Sequence, residues 1–137
     1  MDNLYIIHNI AVIQPMSLHQ IASLKALTLP EVIVTQPFGD ACDVYKVMDK
    51  IFMLTFVLDS QPVINLKVRP DHGEMLKDIY PYISSGWHMN KKHWVSIYED
   101  EALDQTLITD LVISSYELVV SKLNKVEQKR IALLREI

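Results

Sequence analysis

Cysteine and glycine are scarce in this sequence, and each shortage excludes a class of protein. The single cysteine, Cys42, cannot form an internal disulfide, so the chain is not a disulfide-stabilised scaffold and fits a reducing compartment. The three glycines stand alone, so neither of the common phosphate-binding loops, G-x-G-x-x-G and G-x-x-x-x-G-K-S/T, can be written. Nucleotide binding through a glycine-rich loop is therefore excluded.

Long hydrophobic runs are also missing. The most apolar stretch, residues 4–13, is far shorter than the roughly 20 residues that a membrane-spanning helix needs. It follows Asp2 rather than a basic region and has no small-residue cleavage site, so it does not read as a signal peptide. We therefore expect a cytoplasmic protein with no membrane partner.

The composition is otherwise typical of one globular domain, with 137 residues, of which 50% are hydrophobic and 22% charged. The net charge of −4 is unevenly distributed: residues 61–95 carry a balance of +2, residues 96–121 one of −6 and residues 122–137 one of +3. A field that attracts nucleic acid to the whole protein is absent, so only a local basic patch could bind it. The alternative is that these charges only cover solvent-exposed faces.

The first clear element of the chain is a helix. Ser17 and Gln20 have the spacing of a capping box, and Pro30 ends the segment. We interpret residues 1–15 as an N-terminal extension of a single domain that comprises residues 16–137. The alternative is an extra strand, because the extension is rich in isoleucine and valine.

A β-rich stretch follows the helix. Residues 44–48 and 51–58 are predicted strands joined by a two-residue turn at Asp49-Lys50, and a further turn leads into a third strand. The third strand alternates between two faces, which carry Ile64, Leu66 and Val68 on one side and Val63, Asn65, Lys67 and Arg69 on the other. The pattern predicts an antiparallel meander with one buried and one open face.

Two further helices and a hairpin complete the predicted fold. Asp71 and Glu74 are spaced as a second capping box, and Asp104 is expected to cap a long apolar helix. Between them, residues 87–89 and 93–98 are predicted to pair as a hairpin, and a short basic helix ends the chain. The order α-βββ-α-ββ-α predicts an α+β fold, a two-layer sandwich whose helices cover one face of an antiparallel sheet.

The densest group of functional side chains lies in the segment Gly86–Trp94. It contains two tryptophans, two histidines and two lysines without an acidic residue, a combination that can neutralise phosphates and stack on bases. Together with cations on the open face of the third strand, it predicts a DNA-binding surface that comprises Lys67, Arg69, His88, Asn90, Lys91, Lys92 and His93. The alternative is that Trp87 and Trp94 are structural and that the lysines only solvate a turn.

Patterns for metal binding and catalysis are weak. His88 and His93 could converge across a turn, but no third ligand is evident. Cys42 has no activating base beside it, and no Ser-His-Asp arrangement is legible. The acidic run at residues 99–104 is explained by an adjoining helix N-terminus. We therefore expect a non-enzymatic protein without a metal or cofactor.

The order and spacing of several short segments resemble the MmcQ/YjbR family. These segments are Pro37-Phe38-Gly39, Val44-Tyr45-Lys46-Val47, Asn65-Leu66-Lys67, Gly86-Trp87-His88-Met89-Asn90-Lys91-Lys92-His93-Trp94 and Ser115-Tyr116-Glu117-Leu118-Val119. The resemblance covers about residues 17–123, and the string H-M-N-K-x-H-W is its most specific part. It implies a CyaY-like, that is frataxin-like, fold and a proposed "double wing" mode of DNA binding through β-hairpins.

On this chain, the resemblance implies that the two wings are the hairpins around Asp49-Lys50 and Asn90-Lys91-Lys92. The first departs from a basic wing because Asp49 is acidic, whereas the second is basic. Iron binding by frataxins depends on an acidic ridge along the first helix, and residues 17–29 contain no Asp or Glu, which disfavours it. The competing hypothesis is a protein-interaction module that uses the open sheet face and the acidic residues 99–104.

Overall fold

The computed structural model describes residues 15–136 in full and the N-terminal region as two strands, β1 (Leu4–Ile7) and β2 (Ile10–Ile13). These strands pair antiparallel in a small sheet of their own. Residues 1–3, 8–9 and 14 of the expected extension lie outside the described residues, and the boundary at residue 15 stays a prediction.

A six-stranded antiparallel sheet and four helices form the rest of the described chain. In sheet order the strands are β3 (Val32–Thr35), β4 (Cys42–Val47), β5 (Lys50–Leu58), β6 (Gln61–Lys67), β8 (Trp94–Tyr98) and β7 (Ile83–Ser85). The helices are α1 (Leu18–Ala26), α2 (Pro70–Ile79), α3 (Gln105–Val120) and α4 (Lys125–Leu134). Because α1 and α3 pack together on β5 and β6, the predicted α+β sandwich is confirmed. The prediction omits β3 and does not include β7, since it places the strand before β8 at residues 87–89.

Two tight turns join β4 to β5 and β5 to β6. Met48 and Asp49 form the first, with φ angles of 47° and 67°, and Asp59 and Ser60 form the second, with φ angles of 48° and 66°. Two consecutive left-handed residues give a hairpin turn whose twist matches that of the strands. The turn predicted at Asp49-Lys50 is wrong by one residue, because Lys50 pairs with Val47 and begins β5.

The side chains of β6 divide between the two faces of the sheet as predicted. Ile64 and Leu66, together with Val68 just beyond the strand, are buried in the core beneath the helices. Val63 belongs instead to a smaller apolar cluster on the opposite face. The helix-covered face therefore holds the main core, and the other face carries a second, smaller one.

The helix starts confirm two of the three predicted caps. Ser17 and Gln20 form a capping box at α1, and Asp104 accepts hydrogen bonds from the first backbone N–H groups of α3 at 2.9 and 3.3 Å. The prediction that Asp71 caps α2 is wrong, because the helix begins at Pro70 and no side chain caps it. Proline suits that position since its φ is already helical and its missing N–H would have no helical partner.

The strand predicted at residues 87–89 is also wrong. β7 ends at Ser85, and residues 86–93 form a loop that leads into β8. Gly86 donates its N–H to the Trp94 carbonyl at 3.0 Å, and a Cβ at this position would lie 2.7 Å from the Trp94 Cβ. His88 then adopts a left-handed conformation with φ of 57°, which breaks the extended backbone.

Candidate functional site

The antiparallel register sorts the charged residues of the sheet to its two ends. Lys50 pairs with Val47 and Lys67 with Trp94, so the ends of β4 and β6 and the starts of β5 and β8 lie together. The three lysines that lie in strands β3 to β8, Lys46, Lys50 and Lys67, are all at this end. We call it the basic end, with the cationic residues Lys46, Lys50, Lys67, Arg69, Lys91, Lys92 and Lys122.

A buried serine on α3, Ser115, joins two strands at the basic end through its hydrogen bonds. The backbone pairing of β5 and β6 stops at Met53 and Leu66. Beyond it, the Ser115 hydroxyl donates to the Phe52 carbonyl at 2.6 Å and accepts from the Lys67 N–H at 2.9 Å. The hydroxyl thus bridges the two strands where their next backbone hydrogen bond would lie, and it links α3 to both of them.

A small groove of about 170 Å³ lies where the two strands part, and we call it the lysine groove. It is lined by Lys50, Ile51, Lys67, Val119, Lys122 and Leu123. Among the residues that the structure describes, no carboxylate lines it, and none of its three ammonium groups has an ion-pair partner. Three positive charges without a counter-charge favour the binding of an anion.

Of the residues predicted for DNA binding, Lys67 lies in the lysine groove, whereas Arg69 does not. Arg69 is exposed, and its Nε lies 3.5 Å from a carboxylate oxygen of Asp71. It lines a separate groove that also contains His72 and Glu117. Lys67 and Arg69 therefore belong to neighbouring but different surfaces of the basic end.

The residues of the loop at positions 86–93 that were predicted to bind DNA differ in their hydrogen bonds and their exposure. Asn90 accepts the Lys92 N–H through its side chain, at 2.9 Å, and the His93 N–H through its carbonyl, at 3.2 Å. The Lys91 ammonium group donates to the Gly86 carbonyl. Asn90 and Lys91 are thus engaged in shaping the loop, while Lys92 and His93 are exposed on it.

Sequence reasoning missed two members of the lysine groove, Lys50 and Lys122. Lys50 was expected in a turn, although a register with Met48 and Asp49 as the turn would have placed it in β5 beside Ile51. Lys122 follows the end of α3, and only tertiary packing brings it to the strands. No local pattern in the sequence predicts that meeting.

The opposite, acidic end of the sheet carries Asp43, Asp59, Glu99, Asp100, Glu101 and Asp104. Two of these carboxylates bind helix N-termini. Both oxygens of Glu99 accept the Leu18 N–H at the start of α1, at 3.0 and 3.3 Å, and Asp104 caps α3. The predicted link between the acidic run and a helix start is confirmed for α3, and Glu99 extends it to α1.

The sheet face away from α1 and α3 carries a larger groove, of about 550 Å³, that runs along β5. Its lining is mostly apolar and includes Phe38 from the loop before β4, Ile51, Leu54, Phe56 and Val57 from β5, and Trp87 and Met89 from the loop after β7. We call it the apolar groove. Ile51 lines both this groove and the lysine groove.

Two buried polar residues hold one wall of the apolar groove. Ser96 accepts the Trp87 N–H at 2.8 Å and donates to Asn65 at 2.5 Å, while the Asn65 amide donates to the Trp87 carbonyl at 3.0 Å. The Trp87 ring lies 5.4 Å from the Phe56 ring and stacks on His88 at 3.8 Å. His88 therefore belongs to the apolar groove and not to the lysine groove.

Cys42 lines the apolar groove where β4 begins. Burial, and to a lesser extent the negative charge of Asp43, raises the pKa of its thiol above the ordinary value. In the described part of the chain, no three His, Cys, Asp or Glu side chains converge as metal ligands do. No helix in that part has the length and apolarity to cross a membrane.

Comparisons with known proteins agree on one family. The family model YjbR matches residues 27–118. The uncharacterised protein YbdF of Escherichia coli O157:H7 is 47% identical over 115 residues, covering 84% of this chain and 94% of that protein. The uncharacterised protein YjbR of Escherichia coli K12 is 31% identical over 84 residues, covering 61% of this chain and 71% of that protein.

Two solved structures are similar to this fold. Protein DR2400 of Deinococcus radiodurans, with a domain of the DUF419 family, matches with a TM-score of 0.75 and 35% identity, over 87% of this chain and 91% of that one. A protein from Pseudomonas syringae matches with a TM-score of 0.63 and 23% identity, over 75% of this chain and 98% of that one. The second likeness shows the fold alone.

Proposed function

This chain belongs to the YjbR family, and from that premise we propose that it is a cytoplasmic, non-enzymatic protein that binds DNA through its basic end. The observation that carries the proposal is the lysine groove, which is lined by Lys50, Lys67 and Lys122 and, among the residues that the structure describes, by no carboxylate. Ammonium groups without counter-charges are suited to phosphate oxygens, and each contact releases counterions from the nucleic acid.

The exposed loop residues extend this surface. Lys92 lies at the same end of the sheet as the lysine groove, since the loop at residues 86–93 leads into β8 beside Lys67. In the proposed complex the lysines neutralise phosphates, and His93 donates a hydrogen bond to the backbone or to a base. Asn90 and Lys91 act indirectly, because they hold the shape of the loop.

The acidic end supports an oriented approach to DNA. The net charge of −4 would repel a polyanion from a uniformly charged protein. Because many of the carboxylates are gathered at the far end of the sheet, the basic end can face the phosphates while those carboxylates point away. We expect binding that depends mainly on phosphate contacts and only weakly on base sequence.

Fluorescence anisotropy of a labelled DNA duplex tests the proposal, with a single strand of the same length as comparison. We expect micromolar affinity that falls steeply between about 50 and 200 mM salt. Lys67→Glu should weaken binding about tenfold and lower the slope against salt by about 1. Lys91→Glu/Lys92→Glu should weaken it further, since it reverses two charges and also removes the bond from Lys91 to the Gly86 carbonyl that shapes the loop.

Lys25→Glu is the matched control. Lys25 and Lys67 are both half-buried, but Lys25 lies on α1, in the helix layer. Its reversal should leave the affinity within about twofold, because it changes the net charge alone. Equal losses from Lys25→Glu and Lys67→Glu, or no binding at low salt, would refute the proposal.

A protein partner is the second candidate, and exposed apolar side chains on the open sheet face favour it. Phe38 and Val57 remain 69% and 56% exposed there. Such patches often mark interaction sites. A protein contact on this face would be insensitive to Lys67→Glu and only weakly sensitive to salt, so the same titration separates the two candidates.

A further inference from the structure

The apolar groove has the dimensions of a small-molecule site. Its volume of about 550 Å³ lies inside the range of roughly 300–1,000 Å³ that is typical of ligand pockets. Leu54 and Phe56 form its recessed floor and are less than one-tenth exposed, while loops on both sides supply its walls. The site is concave, unlike the flatter surfaces on which most protein partners bind.

The side chains of two buried polar residues hold one wall of this groove in place through hydrogen bonds. Asn65 and Ser96 are 2% and 0% exposed, and their side chains fix both the N–H and the carbonyl of Trp87. Burying polar groups is costly unless they are fully hydrogen-bonded, and here their bonds fix a tryptophan that remains 39% exposed. An exposed aromatic ring on a rigidly held backbone is what a preorganised binding site requires.

The lining limits the chemistry of the ligand. In the described part of the chain, no Lys, Arg, Asp or Glu lines the apolar groove. The Asn65 amide makes one hydrogen bond through its nitrogen, to the Trp87 carbonyl, and one through its oxygen, from Ser96. The imidazole of His88 makes no hydrogen bond to the described residues, so it is available at the rim. A charged ligand would lose its hydration here without gaining an ion pair with a Lys, Arg, Asp or Glu among the described residues.

We propose that the apolar groove binds a small, uncharged aromatic molecule, whose ring system contacts Trp87 and Phe56 and whose one polar group reaches His88. Aromatic rings pack on one another in tilted and stacked arrangements, and the Phe56, Trp87 and His88 rings already form such a series. The proposal goes beyond DNA binding and does not depend on it, because the lysine groove is a different site.

A pair of related fluorescent probes tests the proposal on the full chain. N-phenyl-1-naphthylamine is neutral and aromatic, and 1-anilinonaphthalene-8-sulfonate has the same ring system with an added negative charge. We expect saturable binding of the neutral probe with one site per chain, at least about tenfold tighter than the anionic probe. The Trp87 indole N–H resonance should shift during the titration.

Matched substitutions locate the site. Val57 in the groove and Ile79 on α2 are both 56% exposed, so replacing either with serine removes similar apolar surface without disturbing the core. Val57→Ser should weaken the neutral probe about fivefold, and Phe38→Ser, in the loop before β4, should do the same. Ile79→Ser should leave the affinity unchanged.

Three outcomes would overturn the proposal. The first is the absence of saturable binding, and the second is equal affinity for the two probes. The third is a dimer in sedimentation analysis that Val57→Ser dissociates, since a second copy of the chain would then occupy the groove. None of these outcomes depends on whether the basic end binds DNA.

Discussion

The two ends of the sheet differ in what their charges do for the fold. At the acidic end, Glu99 and Asp104 bind the N-termini of α1 and α3, so the structure itself accounts for these negative charges. At the basic end, Lys50, Lys67 and Lys122 meet around a groove without carboxylate partners among the described residues. Charge that stabilises the fold is thus separated from charge that remains available for a ligand.

This separation explains how an acidic protein can present a basic surface. Antiparallel strands place the end of each strand beside the start of the next, so Lys46 and Lys50 gather with Lys67, which is distant from them in sequence. The net charge of −4 describes the sum and not the arrangement. Measurements that disturb one end at a time can therefore test the comparison.

Ser115→Ala should have the largest effect on stability, because it removes the hydroxyl that joins β5, β6 and α3 at the basic end. The Phe52 carbonyl and the Lys67 N–H would lose their buried partner, which costs roughly 2–4 kcal/mol of unfolding free energy. Urea denaturation measures this loss. Ser114→Ala, one residue away and half-buried, should change stability by less than about 0.5 kcal/mol. Similar losses from both variants would contradict the role given to Ser115.

Glu99→Gln tests the acidic end and should have an intermediate effect. The substitution keeps the size of the side chain but removes the charge that faces the start of α1, so we expect a loss of about 1 kcal/mol in urea denaturation. Glu101→Gln provides the control, because Glu101 is exposed and lies two residues further along the same loop. If both substitutions were neutral, the acidic end would have no structural role through Glu99.

A pair of turn substitutions should have the smallest effect and gives the sharpest comparison. Asp49 and Asp59 occupy equivalent tight turns at opposite ends of the sheet, and asparagine tolerates their left-handed backbone. Asp49→Asn removes a partner 3.9 Å from Lys46 and should tighten DNA binding about twofold to threefold. Asp59→Asn should leave it unchanged in the same anisotropy assay. Equal changes would mean that net charge alone governs affinity.

Much of the fold could be predicted because its signals are local. The capping box of Ser17 and Gln20 and the alternation of Ile64 and Leu66 each depend on neighbours in sequence. β3 could not be predicted in this way, because it is a four-residue edge strand that begins directly after Glu31, whose φ is 63°. The error at Asp71 arose because proline began α2 without the side-chain cap that the spacing suggested.

Less of the candidate site could be predicted, because tertiary contacts assemble it. Lys67 and Lys92 stood out by their local surroundings, whereas Lys122 reaches the sheet only because Ser115 fastens α3 to β5 and β6. The sequence resemblance included Asn65, but its bonds to Ser96 and Trp87 join residues as many as 31 positions apart. A polar side chain in a strand does not reveal which distant loop it holds.

Ile51 is common to the two grooves, since it lines both. Thermodynamic linkage then constrains any pair of occupants. If a molecule in the apolar groove displaces Ile51 and changes the affinity of the lysine groove, an anion in the lysine groove must change the affinity of that molecule by the same factor. The coupling free energy between the two sites therefore has one value, whichever site is titrated first.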